Sequence, residues 1–102
     1  MKKTTGTHNY YVYILTNKIK TVLYIGVTNS LKERLYYHSN PEPNSKHFSH
    51  RYNCKYLIYV EHYKDVNIAI EREKQLKRWS RKKKEFLISI KNPNWNILND
   101  EI

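Results

Sequence analysis

The sequence predicts an α+β fold: a small, mostly antiparallel three-stranded sheet flanked by helices, in the order β-β-α-β-α-α. Three observations lead there. Two β-branched and aromatic runs, "YYVYILT" (10–16) and "VLYIGV" (22–27), sit on either side of a short polar stretch and read as a hairpin. A third run, "KYLIYVEHY" (55–63), reads as another strand. Helical patterns fill 30–38, 66–79 and the segment after Ser80, so strands come early and helices late. At 102 residues one domain is expected, with its core between about 9 and 98.

In the hairpin, a loop at 17–20 sets Thr16 opposite Thr21 and Tyr13 opposite Tyr24. Opposed residues share a face, so two phenols would stand side by side. That is either a packed aromatic pair or a pair of working hydroxyls. Gly26, one of only two glycines, ends this strand. A glycine there permits an unusual backbone angle or the close approach of a backbone or a phosphate.

The next helix opens on the capping box of Ser30 and Glu33. Leu31, Arg34, Leu35 and His38 share one of its faces. Arg34 there either snorkels at the core edge or holds a phosphate, whose oxygens match its planar fork. His38, one turn on, can bond a phosphate or move a proton. Residues 39–53, with two prolines and no period, read as a long connection of the kind that is often functional. His47 and His50 lie in it three apart with no third ligand in view, so the pair is not read as a metal site.

The helix at 66–79 is capped by Asp65 or Asn67. Val66, Ala69, Ile70, Leu76 and Lys77 fall on one stripe, with Glu73 in its middle. A carboxylate on such a face needs a partner. It is either in a salt bridge to Arg34 or a lysine, or a ligand for Mg²⁺, which accepts one or two carboxylates and keeps several waters. Ser80 caps the last helix, and the closing "KNPNWNILNDEI" has no clear period.

Composition narrows the function. Net charge is +10, with 19 Lys and Arg against 9 Asp and Glu, which favours a polyanionic partner. Arg72, Lys74, Lys77, Arg78, Arg81, Lys82, Lys83 and Lys84 form a basic run that suits a phosphate backbone. No apolar run reaches 18 residues, so no membrane-spanning helix is expected. The start "MKKTTGTHNYYVYIL" lacks the apolar stretch of a secretory signal. Cys54 is the single cysteine, which excludes an internal disulfide and a cysteine-based zinc site and fits a reducing cytoplasm.

At these residues the chain resembles the GIY-YIG endonuclease family. The signature tripeptides appear as "YVY" (Tyr11–Tyr13) and "YIG" (Tyr24–Gly26), and "LKERL", "AIEREKQLKRW" and "NPNW" follow in order. Tyr11 stands where the family has a glycine, and Val27 where some members have a lysine that helps deprotonate a tyrosine. The resemblance implies a metal-dependent endonuclease that hydrolyses DNA phosphodiester bonds. Tyr13, Tyr24, Arg34, His38 and Glu73 would be its catalytic residues. One Mg²⁺ (or Mn²⁺) would sit on Glu73, Arg34 would hold the phosphate, and Tyr13 or Tyr24 would assist the attacking water. Gly26 would let DNA approach, and Asn96 would match a C-terminal asparagine of the family. The substrate would be DNA, including branched or damaged DNA met in repair or recombination, with a partner protein supplying specificity. The alternative is a nucleic-acid-binding module of the same fold without catalysis. A structural basic protein would explain the charge but not Glu73.

Overall fold

A computed structural model describes residues 8–40 and 47–102. The expectations that touch residues 1–7 (the absence of a secretory signal) and 41–46 (part of the long connection) lie outside the described residues. The elements are β1 (Tyr10–Thr16), β2 (Leu23–Thr28), α1 (Leu31–Ser39), α2 (Phe48–Arg51), β3 (Tyr56–Tyr63), α3 (Val66–Arg78) and α4 (Arg81–Lys91), with a short 3₁₀ turn at Asn99–Glu101. The order is the expected one, with α2 added inside the long connection.

The helix starts are written in local sequence. Ser30 accepts from the Glu33 N–H, Ser80 from the Lys83 N–H, and Asp65, not Asn67, caps α3 through the N–H groups of Asn67 and Ile68. Each side chain satisfies donors that the first helical turn leaves open.

The sheet is antiparallel in the order β2-β1-β3. Alternate residues of β1 face opposite ways. Val12 and Ile14 pack with Ile25, Ile58, Ala69, Leu76 and Ile88, beneath α3 and α4. Tyr13 and Leu15 pack with Leu31, Leu35 and Leu57, beneath α1. Both faces are covered, which is why the central strand reads as a nearly continuous apolar run.

The hairpin register differs from the expected one. Tyr13 lies opposite Gly26, and Leu15 opposite Tyr24. The loop is two residues longer because the Asn17 side chain accepts from the N–H groups of both Thr21 and Val22, and Lys20 adopts a left-handed φ of 60°. An Asx-type bond of this kind outcompetes the next ladder rung. A slip of two preserves the face, so Tyr13 and Tyr24 still share one side, now as diagonal neighbours.

On the other edge, β3 carries a bulge: Ile14 pairs with Tyr59 but Leu15 with Leu57, so Ile58 is skipped. The Ile58 carbonyl is taken by the buried Asn92 side chain. Leu98 and Asn99 then bond both backbone groups of Leu57, covering the exposed strand edge.

Candidate active site

The face beneath α1 brings the expected side chains together. Tyr13 (β1) is 1% exposed, and its hydroxyl lies 3.0 Å from His38 Nε2 of α1. Tyr24 (β2) is half-buried, its ring centroid 6.3 Å from that of Tyr13 and 5.1 Å from that of His38.

Gly26 is explained by this pair. A Cβ there would sit 2.4 Å from the Tyr13 hydroxyl oxygen. The glycine is required because the Tyr13 ring crosses it, and the residue is buried. That packing accounts for the glycine without any contact to DNA.

Arg34, one turn before His38, is exposed, with its guanidinium 5.9 Å from the Tyr37 ring. It therefore stands at the rim of the shared face rather than in the core, and its charge reaches Tyr13, Tyr24 and His38. Glu73 (α3) is half-buried and pairs with Lys77 at 3.0 Å, so the lysine alternative holds and the Arg34 one does not. Its charge is felt by both phenols. Lys77 and Lys84 flank a cleft floored by Leu23, Tyr24, Ile25 and Phe48.

The electrostatics favour neutral groups. Burial raises the pKa of Tyr13, and the neighbouring Tyr24 raises it further, while Arg34 opposes both. Burial likewise raises Tyr24 against the lowering effect of Lys77 and Arg34. Nearby cations favour phenolate, but desolvation outweighs them. His38 is pulled down to about 4 by burial and by charge repulsion from His47, Arg34 and His50 as the ring protonates, so it is neutral at pH 7.

The basic run divides. Arg72 forks onto Glu61 with two bonds of 2.9 Å, in a half-buried pair that also takes the Tyr59 and Tyr63 hydroxyls. Arg81 bonds Glu85 and the carbonyls of Thr21 and Lys20, docking α4 onto the hairpin loop. Both arginines hold the fold together, which removes their forks from a phosphate contact. Lys83 lies 4.5 Å over the Trp79 ring, while Lys74, Arg78 and Lys82 are exposed. Asn96 is exposed, and its backbone bonds the side chain of Asn92. Asn92, which sequence reading passed over, is the buried asparagine.

Also missed was Ser49, fully buried, whose hydroxyl lies 2.6 Å from His38 Nδ1 and 3.0 Å from His47 Nδ1. Serine in a loop carries no periodic signal. Only the fold of the connection back onto α1 brings it there.

Among the described residues, no three His, Cys, Asp or Glu side chains converge on a metal position. The half-buried Glu73 carboxylate, whose charge reaches both phenols, offers one hard oxygen ligand. It fits Mg²⁺ or Mn²⁺ completed by water and a phosphate, and does not fit a closed zinc site.

The model of the GIY-YIG catalytic domain matches residues 9–85. A UPF0213 protein of Bacillus pumilus (strain SAFR-032) is 36% identical over 81 residues, covering 79% of this chain and 80% of that protein. The solution NMR structure of a UPF0213 protein from Bacillus halodurans superposes with a TM-score of 0.53 at 27% identity, over 85% of this chain and 89% of that one.

Proposed function

Because the chain belongs to the GIY-YIG family, a family of nucleases, we propose that it is a metal-dependent endonuclease that hydrolyses DNA phosphodiester bonds. The observation that carries this is the convergence of Tyr13, Tyr24, His38, Arg34 and Glu73 from two strands and two helices around one side of β2.

Tyr24 is the phenol that lines the cleft, with Lys77 and Lys84 beside it to receive a phosphate. It therefore meets the attacking water. Tyr13, behind it and shut off from solvent, supports the Tyr24 ring. Arg34 at the rim holds non-bridging oxygens of the same phosphate through its fork. Glu73 would hold the divalent cation, which when bound offsets charge developing on the phosphate and on the leaving oxygen. His38, neutral and fixed at both nitrogens, holds Tyr13 in place.

Lys74, Arg78 and Lys82 supply exposed charge for the DNA backbone, and the +10 balance makes binding salt-dependent. Among the described residues no helix is long and apolar enough to cross a membrane. A reducing cytoplasmic setting, a role in DNA repair or recombination and a partner protein that supplies specificity complete the proposal; the one cysteine is buried, with its thiol pKa pushed up to about 11 by burial.

One observation favours the binding-only alternative: Lys77 already neutralises Glu73, so a metal ion must displace it. Cleavage of plasmid and branched DNA separates the two readings. With Mg²⁺ present and chelator absent, the wild type cuts. Glu73→Gln binds DNA but does not cut, and Tyr24→Phe loses on the order of 10² to 10⁴ in single-turnover rate. Cleavage by Glu73→Gln at the wild-type rate refutes the metal assignment, and DNA binding without any cleavage by the wild type establishes the binding-only reading.

A further inference from the structure

One cation is shared between Glu73 and the cleft. Lys77 Nζ lies 3.0 Å from Glu73 Oε2, and the same side chain lines the cleft, about 260 Å³ in volume, that Leu23, Tyr24, Ile25 and Phe48 floor. The pair joins unlike environments, the Glu73 side chain being 16% exposed and that of Lys77 52%. Lys84 lines the same cleft, but among the described residues it makes no ion pair. Lys77 is thus the cleft cation that a carboxylate already holds.

The helix sets this geometry. Residues four apart on α3 lie one turn apart on one face, so Lys77 stands over Glu73. A lysine carries a compact point charge on a flexible four-carbon stem, with no planar fork to fix its direction. Rotation of that stem takes the ammonium from the carboxylate one turn back to the open cleft, with the backbone still. Its charge is felt by Tyr24, which lines that cleft. An i,i+4 pair with a half-exposed lysine is held weakly. A divalent cation brings twice the charge to the same carboxylate.

We propose that Lys77 couples metal binding to phosphate binding: it holds Glu73 in the metal-free protein and moves to the DNA phosphate when a divalent cation takes its place. The proposal rests on the metal assignment in the nuclease reading, and not on whether DNA is cut. In the free protein Lys77 keeps a half-buried carboxylate from standing uncompensated. With the carboxylate taken, the ammonium stands beside a like charge, and repulsion sends it to the phosphate. Linkage makes the effect mutual. A cation on Glu73 frees Lys77 for DNA, and DNA that holds Lys77 frees Glu73 for the cation.

Two binding measurements test this without any cleavage. In the first, Mn²⁺ is titrated into the DNA-free protein and followed by electron paramagnetic resonance. Lys77→Met removes the competing charge and should tighten Mn²⁺ binding by roughly fivefold or more. Lys74→Met removes an equal charge from an exposed neighbour that makes no ion pair among the described residues, and should tighten it by about twofold at most. Glu73→Gln should abolish Mn²⁺ binding. In the second, the affinity for a fluorescent DNA duplex is read with and without Ca²⁺, a hard cation of the same charge that also takes oxygen ligands. Ca²⁺ should tighten binding by the wild type roughly tenfold, and Lys77→Met should lose most of that gain. Unchanged Mn²⁺ binding in Lys77→Met, or equal tightening in Lys74→Met, overturns the proposal. So does a Ca²⁺ gain as large in Lys77→Met as in the wild type. Mn²⁺ binding that survives Glu73→Gln moves the metal elsewhere and overturns the proposal with the metal assignment. A wild type that shows the coupling yet cuts no DNA refutes the nuclease reading and leaves the coupling in place.

Discussion

Gly26→Ala should destabilise this protein by its effect on one ring. The added Cβ would lie 2.4 Å from the Tyr13 oxygen, 2.5 Å from Cζ and 2.9 Å from Cε2, whereas ordinary contact begins at 3.4 Å. The ring must therefore move by about 1 Å, taking 3.4 Å as the contact limit. It has little room, being 1% exposed and wedged between Tyr24 and His38. Overpacking of this kind costs about 1 to 3 kcal/mol. Loosening the 3.0 Å bond to His38 adds about 1 kcal/mol. Replacing a strand glycine recovers about 0.5 to 1 kcal/mol of chain entropy. The net is a loss of about 2 kcal/mol, which lowers Tm by about 8 to 10 °C in a domain of this size. Thermal melting of the single variants and of the double variant with Tyr13→Leu forms the assay. With the ring gone, Gly26→Ala should cost nothing or stabilise slightly, so the pair should be strongly non-additive. An unchanged Tm in Gly26→Ala, or additive losses in the cycle, would refute the packing explanation and return the glycine to a role in admitting DNA.

Glu61→Gln should cost roughly 3 kcal/mol, because it strands Arg72 and two tyrosine hydroxyls in a half-buried site. Burial alone would raise the Glu61 pKa, but bonds from Arg72, Tyr59 and Tyr63 hold it below its ordinary value. Its contribution is thus present above pH 4.5 and lost as pH falls through the depressed value, so wild-type and Glu61→Gln melting temperatures should converge in acid. Replacing Lys82, Lys83 and Lys84 by Gln should flatten the plot of log K against log salt by roughly 0.9 per lost phosphate contact on duplex DNA. Binding titrations at several salt concentrations check this, and an unchanged slope would place the DNA elsewhere.

How legible each part was depended on the range of the interaction behind it. The helix starts at Ser30, Asp65 and Ser80 could be read directly, because a cap joins residues two or three apart. Strand identity could be read from β-branched and aromatic runs. The hairpin register was missed by two residues because a single side chain, Asn17, captures two backbone donors. The β3 bulge at Ile58 was invisible, since the Asn92 that bonds its carbonyl lies 34 residues away. Periodicity placed Arg34 beside Leu31 and Leu35, but the structure exposes it, because a helical face is wider than the core it covers.

By itself the sequence determined the fold class, the element order, the basic character and the candidate site residues, because these rest on short-range pattern, composition and motif spacing. The tertiary structure alone decided how those residues meet. It set Tyr13 over Gly26 instead of opposite Tyr24, assigned Arg72 and Arg81 to holding the fold, paired Glu73 with Lys77, and brought Ser49 between His38 and His47. The physical reason is that a hydrogen bond or ion pair has directional reach of only a few ångströms. Its partners are chosen by where the backbone returns, and a buried polar group then accepts whichever neighbour can satisfy it.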